Sequence, residues 1–301
     1  MNKVLVPPLK SQGIKTKLVP WIKDALTWDK QGIWIEPFMG TGVVGFNIVA
    51  PQARFSDTNP HLIAFYKALQ SRKITPAIAK NFLEEEGSMM FKKGGEHYYE
   101  IRTRFNEHHE PLDFLFLNRS CFNGMIRFNG KGAFNVPWGH KPARFAQAYI
   151  TKITNQISWV QQAMQNSDWE FCVQEFSSAI EGANNQDFIY CDPPYIDRHT
   201  DYFNGWDEKS EKALFSLLSS TQARFLLSTW HSNKYRVNAY VTSLWSKFAV
   251  LTKEHFYHVG ASEGNRNAIQ EALIANYPVA VTEVQKSEQL VLLEQQAMYR
   301  A

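Results

Sequence analysis

The 301-residue sequence contains little cysteine and no apolar run long enough to cross a bilayer. Its three cysteines, Cys121, Cys172 and Cys191, are an odd number, and their spacing matches no zinc motif. This pattern argues against a disulfide framework and against a structural zinc site. Residues 1–18 also lack the charged and then apolar pattern of a secretory signal. We therefore expect a cytoplasmic protein with reduced thiols and no membrane association.

Paired metal-ligand spacings are missing as well. The nine histidines include the adjacent His108 and His109 and the isolated His231, His255 and His258, and none stands at ligand spacing from acids or cysteines. Histidine ligands usually occur at short, fixed spacings with cysteines or acids. We therefore predict no metal site.

Acidic residues are absent from two parts of the chain, although the net charge is only +3. Asp24 is the first acid, and residues 114–167 contain none. The second stretch combines cations with aromatic residues, namely Arg119, Arg127, Lys131, Lys141, Arg144 and Lys152 with Phe122, Phe128, Phe134 and Trp138. An ordinary solvent-exposed surface would explain the cations, but it would not explain the aromatic residues among them. Cations interleaved with aromatic residues suit phosphates and bases, so the composition favours a nucleic-acid partner.

The apolar pattern predicts an α/β fold. Residues 32–36 indicate a buried strand, a glycine-rich turn follows, and residues 43–50 indicate a helix. Further strands are predicted at 53–57, 187–191, 224–228, 248–251 and 272–275. Helical patterns such as residues 208–220 alternate with them, which predicts a mostly parallel, Rossmann-like sheet.

The order of these patterns also predicts the domain organisation. We expect residues 1–60 and 167–301 to form a catalytic domain, and residues 61–166 to form a mainly helical insertion that carries the acid-free stretch. The tail at 281–301 has the pattern of an amphipathic helix.

The most specific motif is Asp192-Pro193-Pro194-Tyr195, which directly follows a predicted strand. A given tetrapeptide of this kind occurs by chance in roughly one chain in a thousand. A rigid turn would explain the two prolines, but it would not require the other two residues. The Asp192 carboxylate and the Pro193 carbonyl can each accept a hydrogen from an aromatic amine, and this localises a nitrogen lone pair that is otherwise delocalised into the ring. Tyr195 would stack on the aromatic ring of the base that carries this amine.

The turn Gly40-Thr41-Gly42 is a weaker signal. With Gly45 it completes the fingerprint of a dinucleotide site, so a nicotinamide oxidoreductase stays open as an alternative. Glu36 and Phe38 precede the turn, and an acid beside an aromatic ring suits a cationic sulfonium nucleoside better than a pyrophosphate. Asp57 lies about 20 residues after the first strand and could hold ribose hydroxyls in either case.

Five motifs in this order resemble the Dam-type, or D12 class, DNA adenine-N6 methyltransferases of the α group, and in particular the EcoRV-type modification enzymes. The matching segments are residues 6–15, 36–42, 117–124, 134–137 and 192–195. The resemblance runs from about Val6 to Ala275. Most Dam-type enzymes have Trp-Ala-Gly-Gly-Lys where this chain has Ser11-Gln12-Gly13-Ile14-Lys15.

The resemblance implies a Rossmann-like methyltransferase that uses S-adenosylmethionine, releases S-adenosylhomocysteine and flips its target base out of double-stranded DNA. The implied cofactor residues are Ser11, Lys15, Glu36, Phe38, Gly40, Gly42, Asp57, Glu175, Phe176 and Asp192. In the DNA interface, the resemblance implies that Phe122 wedges into the duplex, that Asn123 and Arg119 hold backbone or the orphaned base, and that Arg127 and Lys10 reach base edges. The other implied DNA contacts are Asn118, Met125, Asn129, Asn135, Pro137 and Lys141.

The EcoRV-type resemblance further implies the site GATATC, or at least a sequence that contains GAT, a monomer in solution, and a possible cognate restriction endonuclease that acts independently. Three other interpretations stay open. The chain could methylate RNA or a glutamine amide, since related motifs treat planar amides alike. It could also bind DNA without catalysis, or bind a nicotinamide cofactor.

Overall fold

The computed structural model describes residues 3–196, 205–256 and 268–279. Within these ranges a seven-stranded sheet has the order β3-β2-β1-β4-β5-β7-β6. Its strands are β1 (Trp34–Glu36), β2 (Gln52–Asp57), β3 (Asp168–Val173), β4 (Phe188–Cys191), β5 (Arg224–Asn233), β6 (Ala249–Phe256) and β7 (Ala268–Ala275). The first five strands pair in parallel, and β7 pairs antiparallel with both β5 and β6. The predictions of an α/β fold and of a mostly parallel sheet are therefore confirmed.

The described ranges also contain ten α-helices. They are α1 (Val19–Ala25), α2 (Val43–Ile48), α3 (Pro60–Gln70), α4 (Pro76–Lys93), α5 (Gly95–His108), α6 (Pro111–Ser120), α7 (Gln147–Gln165), α8 (Phe176–Ile180), α9 (Glu208–Ser220) and α10 (Ala239–Thr242). Two short 3-10 turns cover Phe122–Gly124 and Pro142–Phe145. No helix in the described part of the chain is long and apolar enough to cross a membrane.

Successive residues of the central strands face opposite sides of the sheet, and each side has its own apolar core. Trp34 and Tyr190 belong to one core, while Ile35 and Cys191 belong to the other. Side chains of α1, α2 and α3 contribute to the first core, and those of α8, α9 and α10 contribute to the second. Helices on both faces of a parallel sheet are the doubly wound arrangement. Because the central strands are buried on both faces, their sequences are continuous apolar runs.

The chain between β2 and β3 is helical, as predicted for the insertion. Its helices begin at residues that suit a helix start: Asn59 and Thr75 cap α3 and α4 with side-chain oxygens, and Pro60, Pro76 and Pro111 occupy first turns. The boundaries at residues 61 and 166 stay a prediction. The tail predicted to be helical, residues 281–301, lies outside the described residues.

Candidate active site and nucleic-acid interface

The sheet order places a crevice between β1 and β4. From this point the chain continues to β2 and β3 on one side and to β5 on the other, so it is the switch point where parallel α/β sheets bind ligands. The loop from Pro37 to Gly42 leaves the carboxyl end of β1, and Asp192 follows the carboxyl end of β4. Two sequence motifs that are about 150 residues apart therefore lie at the same edge of the sheet.

The β1 loop is built around glycine conformations. Gly40 and Gly42 have φ values of 48° and 73°, which L side chains rarely adopt. A Cβ on Gly45 would lie 2.3 Å from the Phe55 ring and 2.4 Å from Glu36 Oε2, so this glycine lets α2 pack closely on the sheet. A Cβ on Gly40 would meet no atom within 4 Å, so the loop leaves room beside this position.

Asp57 fastens the β1 loop to the end of β2. Its Oδ2 accepts a hydrogen bond from the Gly40 amide at 3.0 Å, and its Oδ1 accepts one from the Asn59 amide at 2.9 Å. Burial raises the pKa of Asp57 to about 6, although these backbone donors oppose the rise. The carboxylate that was predicted to bind ribose hydroxyls therefore also fixes the conformation of the β1 loop.

Glu36 is buried beneath the β1 loop. Its Oε2 accepts a hydrogen bond from Trp34 Nε1 at 2.9 Å. Burial raises the pKa of Glu36 to about 8, and the nearby Asp192 contributes to the rise. A buried acid therefore lies at the carboxyl end of β1, next to the loop where a cationic ligand was predicted.

Lys15 and Asp192 form an ion pair at the crevice. Lys15 Nζ lies 2.8 Å from Asp192 Oδ1, with side-chain exposures of 4% and 23%. The same ammonium lies 4.8 Å from the centre of the Tyr195 ring. Burial raises the pKa of Asp192, and the charge and hydrogen bond of Lys15 counteract this rise. Lys15, in the N-terminal segment (residues 3–18), therefore supports the ionised form of the Asp192 carboxylate in the central motif (residues 192–195).

Pro193 is buried, and Pro194 and Tyr195 are half-buried. The Tyr195 hydroxyl donates a hydrogen bond to Oε2 of Glu271, a wholly buried residue of β7. Glu271 belongs to no recognised motif, so the sequence motifs do not indicate it. Its signal in the sequence is that it is the one charged residue of β7.

Three aromatic rings lie next to the β1 loop. Phe38 and Phe176 stack with their centroids 5.5 Å apart, and Trp206 packs edge-on against Phe38 at 5.4 Å. The structure thus brings together the two predicted pocket rings and adds Trp206, which the sequence analysis missed. Glu175 is exposed at the start of α8, and Ser11 is half-buried before the turn that leads to Lys15.

Two residues predicted to contact DNA instead hold the N-terminal segment. Asn118 is wholly buried; its side chain accepts from the Lys10 amide and donates to the Lys10 carbonyl, both at 2.8 Å. Arg119 is 5% exposed and donates to the Pro8 carbonyl at 3.0 Å. These bonds occupy backbone groups that would otherwise need other partners. In the free protein both side chains therefore make an internal contact, and their predicted contact with DNA stays a prediction.

Three cations, Lys10, Arg119 and Arg144, lie where the segment that precedes α1 contacts the end of α6. Burial, together with the nearby charges of Arg119 and Arg144, lowers the pKa of Lys10 to about 8. Burial and the Arg144 charge also lower the pKa of Arg119, to about 10. Arg144 donates hydrogen bonds to the carbonyls of Arg119 and Cys121. Like charges held this closely are stabilised by an anion such as phosphate.

The loop after α6 carries most of the remaining predicted DNA contacts. Phe122 is 50% exposed, and Asn123 is exposed with a φ of 53°. Arg127 donates through Nε to Asn135 Oδ1 at 2.9 Å, which fixes its guanidinium plane. Asn129 Oδ1 accepts two backbone amides and shapes the loop tip. Pro137 and Lys141 are exposed on the return of the loop, and Met125 is half-buried.

Within the ranges that the structure describes, no three histidine, cysteine, aspartate or glutamate side chains gather as metal ligands.

Comparison with known proteins agrees with this geometry. Residues 11–259 match the family model of D12 class N6 adenine-specific DNA methyltransferases, and the chain belongs to this family. It has the Rossmann-like methyltransferase fold of that class. The family leaves the nicotinamide and the non-enzymatic interpretations without support.

Three curated relatives illustrate the similarity. The type II methyltransferase M.FokI of Planomicrobium okeanokoites is 26% identical over 92% of this chain, which spans 43% of that protein. The DNA N-6-adenine-methyltransferase of Escherichia phage P1 is 34% identical over 63% of this chain, which spans 25% of that protein. The DNA adenine methylase of Haemophilus influenzae is 30% identical over 75% of this chain, which spans 79% of that protein. The chain thus spans less than half the length of the first two.

Proposed function

We propose that the protein transfers a methyl group from S-adenosylmethionine to N6 of adenine in a specific sequence of double-stranded DNA. The observation that carries the proposal is the position of Asp192. Its carboxylate follows β4 at the switch point of the sheet, beside the glycine loop of β1, and Lys15 supports its ionised form from 2.8 Å.

The residues at the β1 loop fit a cationic nucleoside cofactor. Room beside Gly40, the Phe38 and Phe176 rings, and the Asp57 carboxylate would receive a sugar and an aromatic base. Lys15, Glu36, Gly42, Glu175 and Ser11 complete the proposed contacts. When bound, S-adenosylmethionine supplies an activated methyl group on its sulfonium and leaves as S-adenosylhomocysteine.

Asp192 and the carbonyl of Pro193 would each accept one hydrogen of the adenine amino group. These contacts strengthen as positive charge develops on the nitrogen, so they stabilise the transition state more than the bound substrate. Pro194 has a fixed φ and holds the backbone of the motif in place. The ring of Tyr195 would stack on the base. Because N6 is inaccessible inside a duplex, the adenine must be flipped into this crevice.

The insertion would bind the duplex. The exposed Phe122 ring suits a wedge between base pairs, with Asn123 beside it. Lys10 would reach base edges, and the cations around it suit the phosphate backbone. Arg127, oriented by Asn135, would read a guanine edge. For Asn118 and Arg119 we now propose a positioning role, because their bonds hold the segment that carries Lys10 and Lys15.

Two assays test this proposal. Purified protein is incubated with tritiated S-adenosylmethionine and with duplex DNA, structured RNA or a glutamine-containing protein, and the expected result is incorporation into DNA alone. Single-molecule sequencing of DNA from a methylation-free host that expresses the protein should then reveal N6-methyladenine at GATATC or at another sequence containing GAT. Label in RNA or protein alone would refute the proposal.

We further propose a monomer, with any cognate endonuclease acting separately.

A further inference from the structure

Glu271 is a buried carboxylate directly behind the central motif. It lies on β7, opposite Trp230 of β5, and its side chain is wholly buried. Its Oε2 accepts the hydroxyl of Tyr195. Among the described residues, nothing provides its Oε1 with a hydrogen bond. Two further buried polar side chains, Tyr190 and Ser228, lie on the neighbouring strands β4 and β5. This face of the sheet therefore carries polar groups where apolar packing would be expected.

A purely structural role explains this arrangement poorly. Burying a carboxylate with one of its oxygens unbonded is costly, and an apolar side chain of similar size would pack there at a lower cost. The charge of Glu271 also adds to the raised pKa of Asp192, which opposes the ionised form of that carboxylate. Within the part of the chain that the structure describes, the hydrogen bond from Tyr195 is the contact that offsets this cost.

That bond acts on a ring that is already held at a second point. The Lys15 ammonium lies 4.8 Å from the ring centre, and Glu271 holds the hydroxyl at the ring tip. A tyrosine side chain has two main torsions, so one contact on its ring and one at its tip define its plane. The plane of a stacking ring determines how well a flat base packs against it.

We propose that Glu271 is a positioning residue that fixes the Tyr195 ring for stacking with the flipped adenine. This inference rests on the proposed function, since it needs a base in the crevice. Glu271 itself would not touch the substrate, and it would act through the orientation of Tyr195.

The test compares Glu271→Ala, Glu271→Gln and Tyr195→Phe with wild type. Glutamine keeps an oxygen that can accept the hydroxyl, so it should retain activity within about threefold, whereas the alanine and phenylalanine variants should each lose about tenfold in kcat, as for a lost hydrogen bond to a charged group. The double variant Glu271→Ala/Tyr195→Phe should lose no more than either single variant, because one bond is removed in each case. The exposed Glu254 on β6 provides the matched control, Glu254→Ala.

A readout of stacking separates positioning from general damage to the fold. Duplexes with 2-aminopurine in place of the target adenine brighten when the base is flipped, and stacking on an aromatic ring dims the emission again. At saturating protein, Glu271→Ala and Tyr195→Phe complexes should be brighter than wild type, while Glu271→Gln should match it. Thermal unfolding identifies any variant that is simply unfolded, and Tyr195→Phe, which keeps the buried carboxylate, then carries the test.

Equal brightness for wild type and all variants, or additive losses in the double variant, would overturn the role of Glu271. A wild-type protein that neither methylates DNA nor brightens the probe would instead overturn the proposed function, so the two failures are distinguishable.

Discussion

Replacing Lys15 with methionine isolates the contribution of the ion pair in the proposed site. The lysine side chain is 4% exposed and lies 2.8 Å from Asp192, whose side chain is 23% exposed. Methionine keeps much of the apolar volume of the lysine stem and removes the charge. The variant therefore leaves a largely buried carboxylate without its cation.

Removing one partner of a fully buried pair destabilises a protein by about 3–5 kcal/mol. Because Asp192 retains some contact with water, we expect Lys15→Met to lower the free energy of unfolding by roughly 2–3 kcal/mol at about pH 8. The loss should depend on pH. Burial raises the pKa of Asp192 and Lys15 lowers it, so the pKa rises further in the variant. As the pH falls the carboxyl takes up a proton and costs less to bury, and the loss should shrink towards about pH 5.

Urea unfolding of both proteins at several pH values measures this difference. Lys73→Met is the matched control, because Lys73 is exposed, and it should change stability little at any pH. The double variant Lys15→Met/Asp192→Asn removes both charges and should regain most of the lost stability. A loss that is the same at acid and alkaline pH, or no recovery in the double variant, would refute the assignment of the penalty to the unpaired carboxylate.

Further predictions concern the reaction, the recognition loop and pH. Asp192→Asn should lower kcat by about 100- to 1000-fold in tritium transfer, and duplex affinity in a filter-binding assay should stay nearly constant because the insertion supplies most backbone contacts; wild-type turnover would disprove its catalytic role. Arg127→Ala should reduce discrimination at one guanine by about 1–3 kcal/mol on singly substituted duplexes, whereas Lys141→Ala should weaken binding to all of them alike. An unaltered ranking of sites in the Arg127 variant would contradict base reading. Asn135→Ala should reduce discrimination at the same guanine by a smaller factor, measured on the same panel, and an effect at other positions would argue against it as the support of Arg127. Wild-type stability should fall as the pH rises from about 5 to 8, because Glu36 keeps its proton in the fold up to about pH 8 but loses it near 4.5 when unfolded; Glu36→Gln should flatten this slope in urea midpoints, and an unchanged slope would assign it to other groups.

Strands and helices with strong apolar periodicity could be predicted from the sequence. The helix predicted at residues 208–220 is α9, and β1, β2 and β4 to β7 lie at or within a few residues of their predicted positions. The missed strand, β3, is an edge strand whose residues alternate between buried and exposed and include Asp168 and Glu170. Acids on the outer face weaken the apolar signal of an edge strand.

The candidate site was predictable only where a motif marks it. The motifs gave Asp192 and the β1 loop, but no local pattern reveals that Lys15 pairs with Asp192 or that Tyr195 reaches Glu271, since 177 and 76 positions separate these partners. Motif likeness also assigned Asn118 and Arg119 to DNA, and it could not show that the fold buries them. Burial depends on tertiary packing, which a motif does not encode.

The long insertion also affects how the protein is synthesised. The β2 strand pairs with β3 from Gln52↔Asp168 to Asp57↔Val173, so on the order of 110 residues must be translated before that pairing can begin. At about 5–20 residues per second this takes roughly 6–20 s. During this time the emerging β2 strand has an unpaired edge, which nascent chains commonly protect by engaging chaperones. The speed at which ribosomes traverse the insertion should therefore influence the yield of folded protein.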